Sequence, residues 1–405
     1  MPVLDTGFSF YIKYSIMNKG GNMLPFARMV KFGNVAPEPK PIFKNRLQCS
    51  ADSKFYLHTT GDLYWYGTAT YGQSGNGAYG STNTSTSWTN VNTNVERYWG
   101  GVQGTIAIKK NGTIWYTGSR SVIPILSADT NGVWVEVTQN FADFGVIADD
   151  IDNIVISGCL RVFLKNGKWF YCGAGIGGVF GNGSTASVTQ FTYSTIENVR
   201  SAGCAIRSTG LVLNDGTYWY AGNTFVSGTS AQNVLTFTQE SSIITATKAV
   251  NTIETSYIFL NDGTVKVAST NVRGQAGTGN TTPVPMSALI PNLSFQGEIE
   301  LVGELGTNLA GPSCTIKNNN KLFLCGLNTN GQCGVGSNVA NITTFTEMNL
   351  SALEGRAIGS FCRGYSYTML VDEADNLYTC GVPNLSGVST TNVPTRVPDS
   401  LLPWK

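Results

Sequence analysis

The feature that most constrains the fold of this chain is a short segment that recurs seven times along its 405 residues. Each copy has a run of β-forming residues, a two-residue turn and a second run, as in "LVLNDGTYWYAG" at 211–222. Four copies turn at Asn-Gly or Asp-Gly, dipeptides that tolerate the positive φ angles of a type I′ turn. The sequence therefore predicts seven β-hairpins.

The spacing of these hairpins predicts how they assemble. Their last residues are 67, 118, 173, 222, 269, 326 and 381, so each repeat of about 50 residues has room for roughly four strands. A lone hairpin buries too little apolar surface to be stable, so neighbouring repeats must stack. An open array would need polar end caps, whereas the terminal repeats here look like the inner ones. We therefore predict an all-β, seven-bladed β-propeller at 45–405, preceded by an N-terminal extended segment at 1–44.

A second motif follows several of the hairpins. It reads "YGQSGNG" at 71–77, "VFGNG" at 179–183, "RGQAGTG" at 273–279 and "NGQCGVG" at 330–336. A hairpin that ends in aromatic-x-Gly and continues into this motif resembles the repeat of the regulator of chromosome condensation family, a seven-bladed propeller. The resemblance covers residues 45–400, although two repeats lack the Gly-Gln-x-Gly part and the fifth ends in Ser269. It implies an intracellular interaction scaffold or a small-GTPase exchange-type regulator, located in the cytoplasm.

The charge balance and hydropathy argue against several classes of partner. Lys and Arg together number 26 and Asp and Glu 25, so no excess of basic residues favours nucleic acid or an acidic membrane. No apolar run reaches the about 18 residues that a membrane-spanning helix needs, and the N-terminus lacks a signal-peptide layout. We therefore expect a soluble protein without nucleic-acid binding or membrane insertion.

Residues suited to catalysis or metal binding are scarce. His58 is the single histidine, and nine cysteines without a close-spaced pair argue against both a disulfide framework and a zinc site. "GAGIGG" at 173–178 fits a dinucleotide-binding pattern, but no helical pattern follows it. "DDIDN" at 149–153 lacks the glycine and terminal glutamate of a calcium loop. We predict no catalytic residues, no cofactor and no metal, and hence no enzyme.

The tryptophans suggest both packing and binding roles. Those that recur inside hairpins predict packing between blades: Trp65, Trp115, Trp169 and Trp219. Trp88 and Trp134 lie between hairpins, where an exposed indole could stack on a sugar ring or another ligand. Because large aromatic side chains are more often buried, packing is the alternative interpretation for these two.

The first 44 residues stand outside the repeats. The stretch "MLPFARMVKFGNVAPEPKPI" at 23–42 joins a short apolar and basic segment to prolines, which would keep the chain extended. Residues 23–34 resemble the N-terminal segments of structural tail proteins of tailed bacteriophages, which attach different distal domains to the particle. The resemblance implies that a docking segment is formed by Leu24, Pro25, Phe26, Arg28 and Phe32. For residues 1–22, a frayed tail or a later start of translation is the alternative.

Two functional hypotheses follow. The first is a non-enzymatic virion protein of a bacteriophage tail, made in the host cytoplasm, that acts as an adhesin, receptor-binding protein or adaptor. Its partners would be other virion or tail proteins through the N-terminal segment, and a host surface polysaccharide or receptor through the propeller. The alternative is the cytoplasmic interaction scaffold or exchange-type regulator that the repeat resemblance implies.

Overall fold

The computed structural model describes residues 14–17, 23–26, 45–50, 53–126, 128–224, 232–286, 293–295, 299–302 and 315–405. The chain divides into two compact units, residues 1–42 and 43–405. In the first unit, strands β1 (Tyr14–Met17) and β2 (Met23–Phe26) pair antiparallel, with Tyr14 opposite Phe26. No helix in the described part of the chain is long and apolar enough to cross a membrane.

The second unit is a seven-bladed β-propeller, which confirms the predicted fold. Each blade is a four-stranded antiparallel sheet of consecutive strands, so strand order in the sheet follows the chain. Blade 1 contains β3 (Leu47–Ser50), β4 (Ser53–Leu57), β5 (Leu63–Thr68) and β6 (Thr84–Asn92), and blade 2 contains β7 (Val95–Gly100), β8 (Gly104–Lys109), β9 (Ile114–Gly118) and β10 (Val135–Glu136). Blade 3 contains β11 (Ile151–Ile156), β12 (Cys159–Leu164), β13 (Trp169–Gly173) and β14 (Val188–Tyr193), and blade 4 contains β15 (Val199–Cys204), β16 (Ser208–Leu213), β17 (Tyr218–Thr224) and β18 (Gln232–Gln239). Blades 5 to 7 contain β19 (Ala246–Asn251), β20 (Thr255–Leu260), β21 (Thr264–Ser269), β22 (Leu293–Ser294); β23 (Ile299–Val302), β24 (Thr315–Asn318), β25 (Lys321–Leu327), β26 (Asn341–Glu347); and β27 (Ile358–Arg363), β28 (Tyr367–Asp372), β29 (Leu377–Gly381), β30 (Thr391–Arg396).

In the part of the chain that the structure describes, helical structure is confined to short segments of the connections. The helix α1 (Thr138–Asp143) lies in the connection from blade 2 to blade 3. Single 3₁₀ turns occupy Ala148–Asp150, Ile176–Gly178, Ser351–Leu353 and Asp399–Leu401.

The second and third strands of each blade are the predicted hairpins, but the four Asn-Gly and Asp-Gly turns differ from the predicted type. At the second hairpin, Gly112 has φ +82° whereas Asn111 does not have a positive φ, so the turn is not type I′. The Gly112 N–H donates to the Lys109 carbonyl, and the Lys109 N–H donates to the Thr113 carbonyl across the bulge. The Asn111 Oδ1 accepts from the Thr113 N–H and hydroxyl at 3.1 and 2.8 Å. This side-chain hydrogen bonding favours a type I turn with a glycine bulge.

The first strand of each blade lies at the centre of the ring and the fourth at the rim. Residues from the first strands of six blades line a central cavity of about 160 Å³, among them Gln48, Trp99, Asn153, Asn251 and Cys362. Because successive strands alternate in direction, the 1–2 and 3–4 connections lie at one end of each sheet. We call this end the loop face, and the opposite end, which carries the tight 2–3 turns, the turn face.

Apolar side chains between neighbouring blades form the core. The strands β12 and β13 are buried along their whole length, because both of their faces pack against adjacent blades. Between blades 3 and 4, Phe163, Trp169, Phe180 and Phe237 belong to one apolar cluster. The predicted packing of hairpin tryptophans holds for Trp65 and Trp169, which are fully buried, while Trp115 and Trp219 are partly exposed.

The ring closes without a shared strand, through side chains of blades 1 and 7. A disulfide joins Cys49 of β3 to Cys362 of β27, 313 residues later. The cysteine spacing argues against a disulfide framework, but this one pair does form a disulfide. Closure of the ring brings the two Cα atoms within 5.8 Å, and no local spacing in the sequence signals such a contact. The other six described cysteines are buried.

Candidate functional site

The residues predicted to dock fall at the margin of what the structure describes. Leu24, Pro25 and Phe26 lie in β2, where their main chains pair with Ile16, Ser15 and Tyr14. Arg28 and Phe32 lie outside the described residues. The docking role of this segment stays a prediction.

The two candidate binding tryptophans occupy one structural position in successive blades. Trp88 lies within β6 rather than in a loop, and its side chain is only 7% exposed. Trp88 and Phe237 of blade 4 occupy equivalent positions. In each blade, one residue of the fourth strand pairs with the last glycine of the hairpin, and the aromatic residue lies in the β-bulge that follows it. Trp134 precedes β10 in the corresponding place and is partly exposed. Both tryptophans thus belong to the packing between blades, and their binding role stays a prediction.

Glycines of the second motif cover these aromatic rings. A Cβ on Gly75 of blade 1 would lie 2.0 Å from the Trp134 Nε1, and a Cβ on Gly181 of blade 3 would lie 2.2 Å from the Phe237 ring. Both glycines also have positive φ angles, of +72° and +62°. The motif therefore needs glycine at this position for close contact with the next blade.

The last glycine of the motif forms a hydrogen bond between blades. Its N–H donates to a main-chain carbonyl at the fourth strand of the next blade, at 2.8 Å in each of four cases. The pairs are Gly77 with Gly132, Gly183 with Leu235, Gly279 with Thr343 and Gly336 with Asn392. Each of these loops thereby lies along the rim strand of its neighbour.

Buried amide side chains hold the interior of these loops. The Asn271 Nδ2 donates to the carbonyls of Asn280 and Thr282, while its Oδ1 accepts from the Ala276 N–H at 2.8 Å. Asn328 makes the equivalent contacts with Ser337, Val339 and Cys333. The asparagine side chain therefore fixes the conformation of the loop, because it forms hydrogen bonds with main-chain groups of the same loop.

Threonines at one repeat position connect the loops to the following blade. Thr105, Thr209 and Thr368 each donate a 2.7 Å hydrogen bond to a loop carbonyl of the preceding blade, at Gln73, Val179 and Gln332 respectively. Blade 1 has Lys54 at this position. Its ammonium lies over the rings of Tyr66 and Tyr367, at 5.5 and 4.7 Å from their centroids.

The interface between blades 7 and 1, which we call the closing seam, is held by polar contacts of its own. The Asp375 carboxylate accepts from the Arg46 guanidinium at 2.8 Å and the Tyr56 hydroxyl at 2.7 Å, and its other oxygen lies 3.3 Å from the His58 Nε2. Burial raises the pKa of Tyr56, opposed by Arg46 and reinforced by the hydrogen bond to Asp375. The single histidine is thus part of ring closure.

The loop face is nearly uncharged. In its described connections the charged residues are Arg120, Asp129, Arg207, Glu254 and Arg273, whereas the turn face carries Lys or Asp in most of its turns. Exposed apolar side chains recur in these connections: Tyr71, Tyr79, Val133, Ile176, Val272 and Val339. The face therefore offers rigid loops with amide, hydroxyl and apolar groups.

Clusters of titratable groups are sparse in the described residues. No group of three or more His, Cys, Asp or Glu is placed there to hold a metal ion. Glu254 is a half-buried carboxyl group on the loop face that accepts hydrogen bonds from Thr270 and Gln275. Burial raises its pKa, opposed by the hydrogen bond from Thr270 and the charge of Arg273. The fully buried Arg161 donates to the Ser208 and Ala205 carbonyls of blade 4 and so joins blades 3 and 4.

Comparison with known proteins supports the repeat resemblance at the level of fold. No protein-family model matches the chain. It is 27% identical over 126 residues to a Bos taurus protein named secretion-regulating guanine nucleotide exchange factor, a match that spans 31% of this chain and 26% of the relative. The chain thus aligns with about a quarter of the length of that relative, so the match carries over no activity by itself.

Two solved structures share the propeller architecture. Prp20p from Saccharomyces cerevisiae, described for its binding to Gsp1p and histones, superposes with a TM-score of 0.66 at 13% identity, over 86% of this chain and 88% of its own. Human WBSCR16 superposes with a TM-score of 0.58 at 15% identity, over 82% and 88%. The chain therefore shares the seven-bladed propeller fold of these two structures. None of these comparisons supports the resemblance to phage tail proteins.

Proposed function

We propose that this chain is a non-enzymatic, protein-binding β-propeller whose loop face holds a protein partner. The observation that carries the proposal is the loop face itself, with sparsely charged loops, internal Asn side chains that fix two of them, and exposed apolar residues. A rigid surface loses little conformational entropy on binding, and recurrent exposed apolar groups mark interaction surfaces. The shortage of Lys and Arg on this face disfavours phosphate-rich partners.

Site-specific cross-linking in the source cells tests the proposal. The photoreactive substitution Tyr79→p-benzoylphenylalanine places the probe on the loop face, and Lys165→p-benzoylphenylalanine places a matched probe on the turn face. We expect one protein to cross-link to the first probe and not to the second. Equal labelling from both faces, or none from Tyr79, would contradict the proposal.

Nucleotide exchange on a small GTPase is a second candidate function, favoured by the match to the bovine exchange factor. Its test is release of a fluorescent GDP analogue from purified small GTPases of the source cells. An exchange factor should accelerate release at substoichiometric amounts. Release at the intrinsic rate for every GTPase, with cross-linking from Tyr79 intact, would leave a scaffold role without exchange.

Assembly into a virion remains a hypothesis that rests on the N-terminal segment. Mass spectrometry of purified particles should detect the chain, and deletion of residues 23–36 should leave a folded propeller that no longer incorporates. Unchanged incorporation after the deletion would refute the docking assignment. The protein that cross-links to Tyr79 would independently distinguish a virion component from a cellular regulator.

A further inference from the structure

The closing seam contains a pocket of about 280 Å³ at the rim of the propeller. Its wall on blade 1 includes Tyr66, Thr86 and Trp88, and its wall on blade 7 includes Leu385. The C-terminal residues 400–403 complete the lining. No charged side chain lines this pocket among the described residues.

In four other seams a glycine loop occupies the corresponding position. Gly67 pairs with Ser85 in blade 1 as Gly222 pairs with Val234 in blade 4, so Thr86 is the counterpart of Leu235. The Leu235 carbonyl accepts the Gly183 N–H at 2.8 Å, and Gly181 lies against the Phe237 ring. The pocket is therefore the place where the loop of a preceding blade would pair with β6 and cover Trp88.

Blade 7 does not supply that loop. Its connection at 382–390 reads "VPNLSGVST" and lacks the Gly-x-Gly sequence that ends the second motif in the other blades that carry it. Instead, the Ser386 N–H of this connection donates to the Tyr66 hydroxyl of blade 1 at 2.7 Å. In the described structure, no main-chain hydrogen bond joins this connection to Thr86 or Ser87. The rim edge of β6 is thus left open at two exposed residues.

The chemistry of the pocket matches the missing element. An open strand edge offers main-chain donors and acceptors to an added extended segment. Trp88 is 7% exposed, and its ring packs edge-on against that of Trp404, with the centroids 5.2 Å apart. The space that remains beside it favours a residue without a bulky side chain, as glycine is at the equivalent place in two other seams. The uncharged lining favours a neutral segment, since a charged side chain would lose water there without gaining a partner.

We propose that the closing seam binds an extended, neutral, glycine-containing segment of a partner protein. One N–H of the segment donates to the Thr86 carbonyl, and a glycine lies over Trp88. The segment takes the place of the absent blade 7 loop and bridges blades 7 and 1. This inference deepens the proposed protein-binding function but concerns a site apart from Tyr79, so the two can fail separately.

Binding of a peptide copied from the chain itself tests the proposal. The probe is a fluorescein-labelled peptide with the sequence of residues 178–185, "GVFGNGST", added to the full-length protein. We expect saturable binding by fluorescence anisotropy and slower amide hydrogen exchange in residues 84–92. The same peptide carrying Gly181→Val should bind at least tenfold more weakly, because the valine would meet the Trp88 ring.

Two protein variants separate the pocket from nonspecific binding. Ser400→Trp fills the pocket from its exposed C-terminal wall and should abolish both signals, whereas Ser241→Trp, on an exposed turn of blade 4, should leave them unchanged. Absence of binding at millimolar peptide, binding that survives Ser400→Trp, or protection that lies outside both residues 84–92 and the blade 7 wall at 382–403 would overturn the proposal. Self-association that Ser400→Trp abolishes would also overturn it, since the occupant would then be a second copy of this chain. Cross-linking from Tyr79 is read separately and reports only on the loop face.

Discussion

Cys49 and Cys362 are 313 residues apart in the sequence, and a disulfide between them joins the innermost strands of blades 1 and 7. Because each blade uses only consecutive strands, no sheet among the described residues is shared between blades 1 and 7. Closure depends on the disulfide, on the Leu47 N–H that donates to the Ser360 Oγ at 2.9 Å, and on the Asp375 contacts. The tail adds Trp404, whose ring lies 4.5 Å from that of Tyr56.

Removal of the disulfide should destabilise the propeller. We expect the double variant Cys49→Ser, Cys362→Ser to lose about 3 kcal/mol of unfolding free energy, because a cross-link across a long loop restricts the unfolded chain. Urea denaturation of the oxidised proteins measures the difference. Reductant should lower the stability of the natural protein and leave the double variant unchanged. If reductant has no effect on either, the disulfide does not stabilise the ring.

The Asp375 carboxylate should contribute to closure independently of the disulfide. The variant Asp375→Asn keeps a residue that tolerates the φ of +60° but removes the charge that faces Arg46 and Tyr56. We expect a loss of about 2 kcal/mol, because hydrogen bonds to a charged, mostly buried group are strong. Asp399→Asn, at an exposed ion pair with Arg396, serves as the control and should cost no more than about 0.5 kcal/mol. Equal losses in the two variants would argue against a special role for Asp375.

The repeating part of the fold was predictable from the sequence because its signals are local. Each hairpin carries its own turn residues and β-forming runs, so seven copies and their spacing were enough to indicate a closed propeller. Ring closure was not predictable in the same way. The contacts of Cys49 with Cys362 and of Arg46 with Asp375 occur once, between residues more than 300 positions apart.

The candidate binding residues show a second limit of sequence reasoning. Trp88 and Trp134 were assigned to loops because they fall between hairpins, but the fourth strand of each blade also lies there. Aligning the stretches after each closing glycine would have matched Trp88 with Phe191, Phe237 and Phe345, and a shared aromatic position indicates packing. The seam pocket beside Trp88 arises from an absent loop motif in blade 7, which only the assembled ring relates to blade 1.

The contact between Gly181 and Phe237 should be sensitive to a single methyl group. Gly181→Ala places a Cβ 2.2 Å from the ring at a φ of +62°, so blades 3 and 4 must move apart. We expect a loss of about 3 kcal/mol in urea denaturation, from overpacking together with backbone strain. Gly145→Ala is the matched control, since its φ is +80° but no atom lies within 4 Å of the added carbon. Its loss should be about 1 kcal/mol, and a similar value for Gly181→Ala would contradict the close contact.

The threonine that connects blade 7 to the loop of blade 6 should stabilise that seam. Thr368→Val preserves shape but removes the 2.7 Å hydrogen bond to the Gln332 carbonyl, leaving this buried acceptor with only a long contact from the Cys380 Sγ. We expect a loss of about 1.5 kcal/mol of unfolding free energy. Thr238→Val, on the exposed face of β18, should change stability by less than about 0.5 kcal/mol. A neutral Thr368→Val would mean that the seam does not depend on this hydrogen bond.

Stability at alkaline pH should depend on the buried thiol of Cys380. Burial raises the pKa of Cys380 from 9.0 to about 12, with Cys333 adding to the shift and Arg363 opposing it. Well below pH 9 the thiol is neutral in both the folded and the unfolded chain, so its contribution is fully present. Between pH 9 and 12 the unfolded chain loses this proton while the folded chain keeps it, so the free energy of unfolding falls as pH rises.

The variant Cys380→Ala should show a shallower fall between pH 9 and 10.5, by up to about 1.4 kcal/mol per pH unit, the value for one proton. Buried tyrosines titrate in both proteins, so the difference between the two slopes isolates Cys380, and identical slopes would show that this thiol ionises as readily in the folded chain as in the unfolded one.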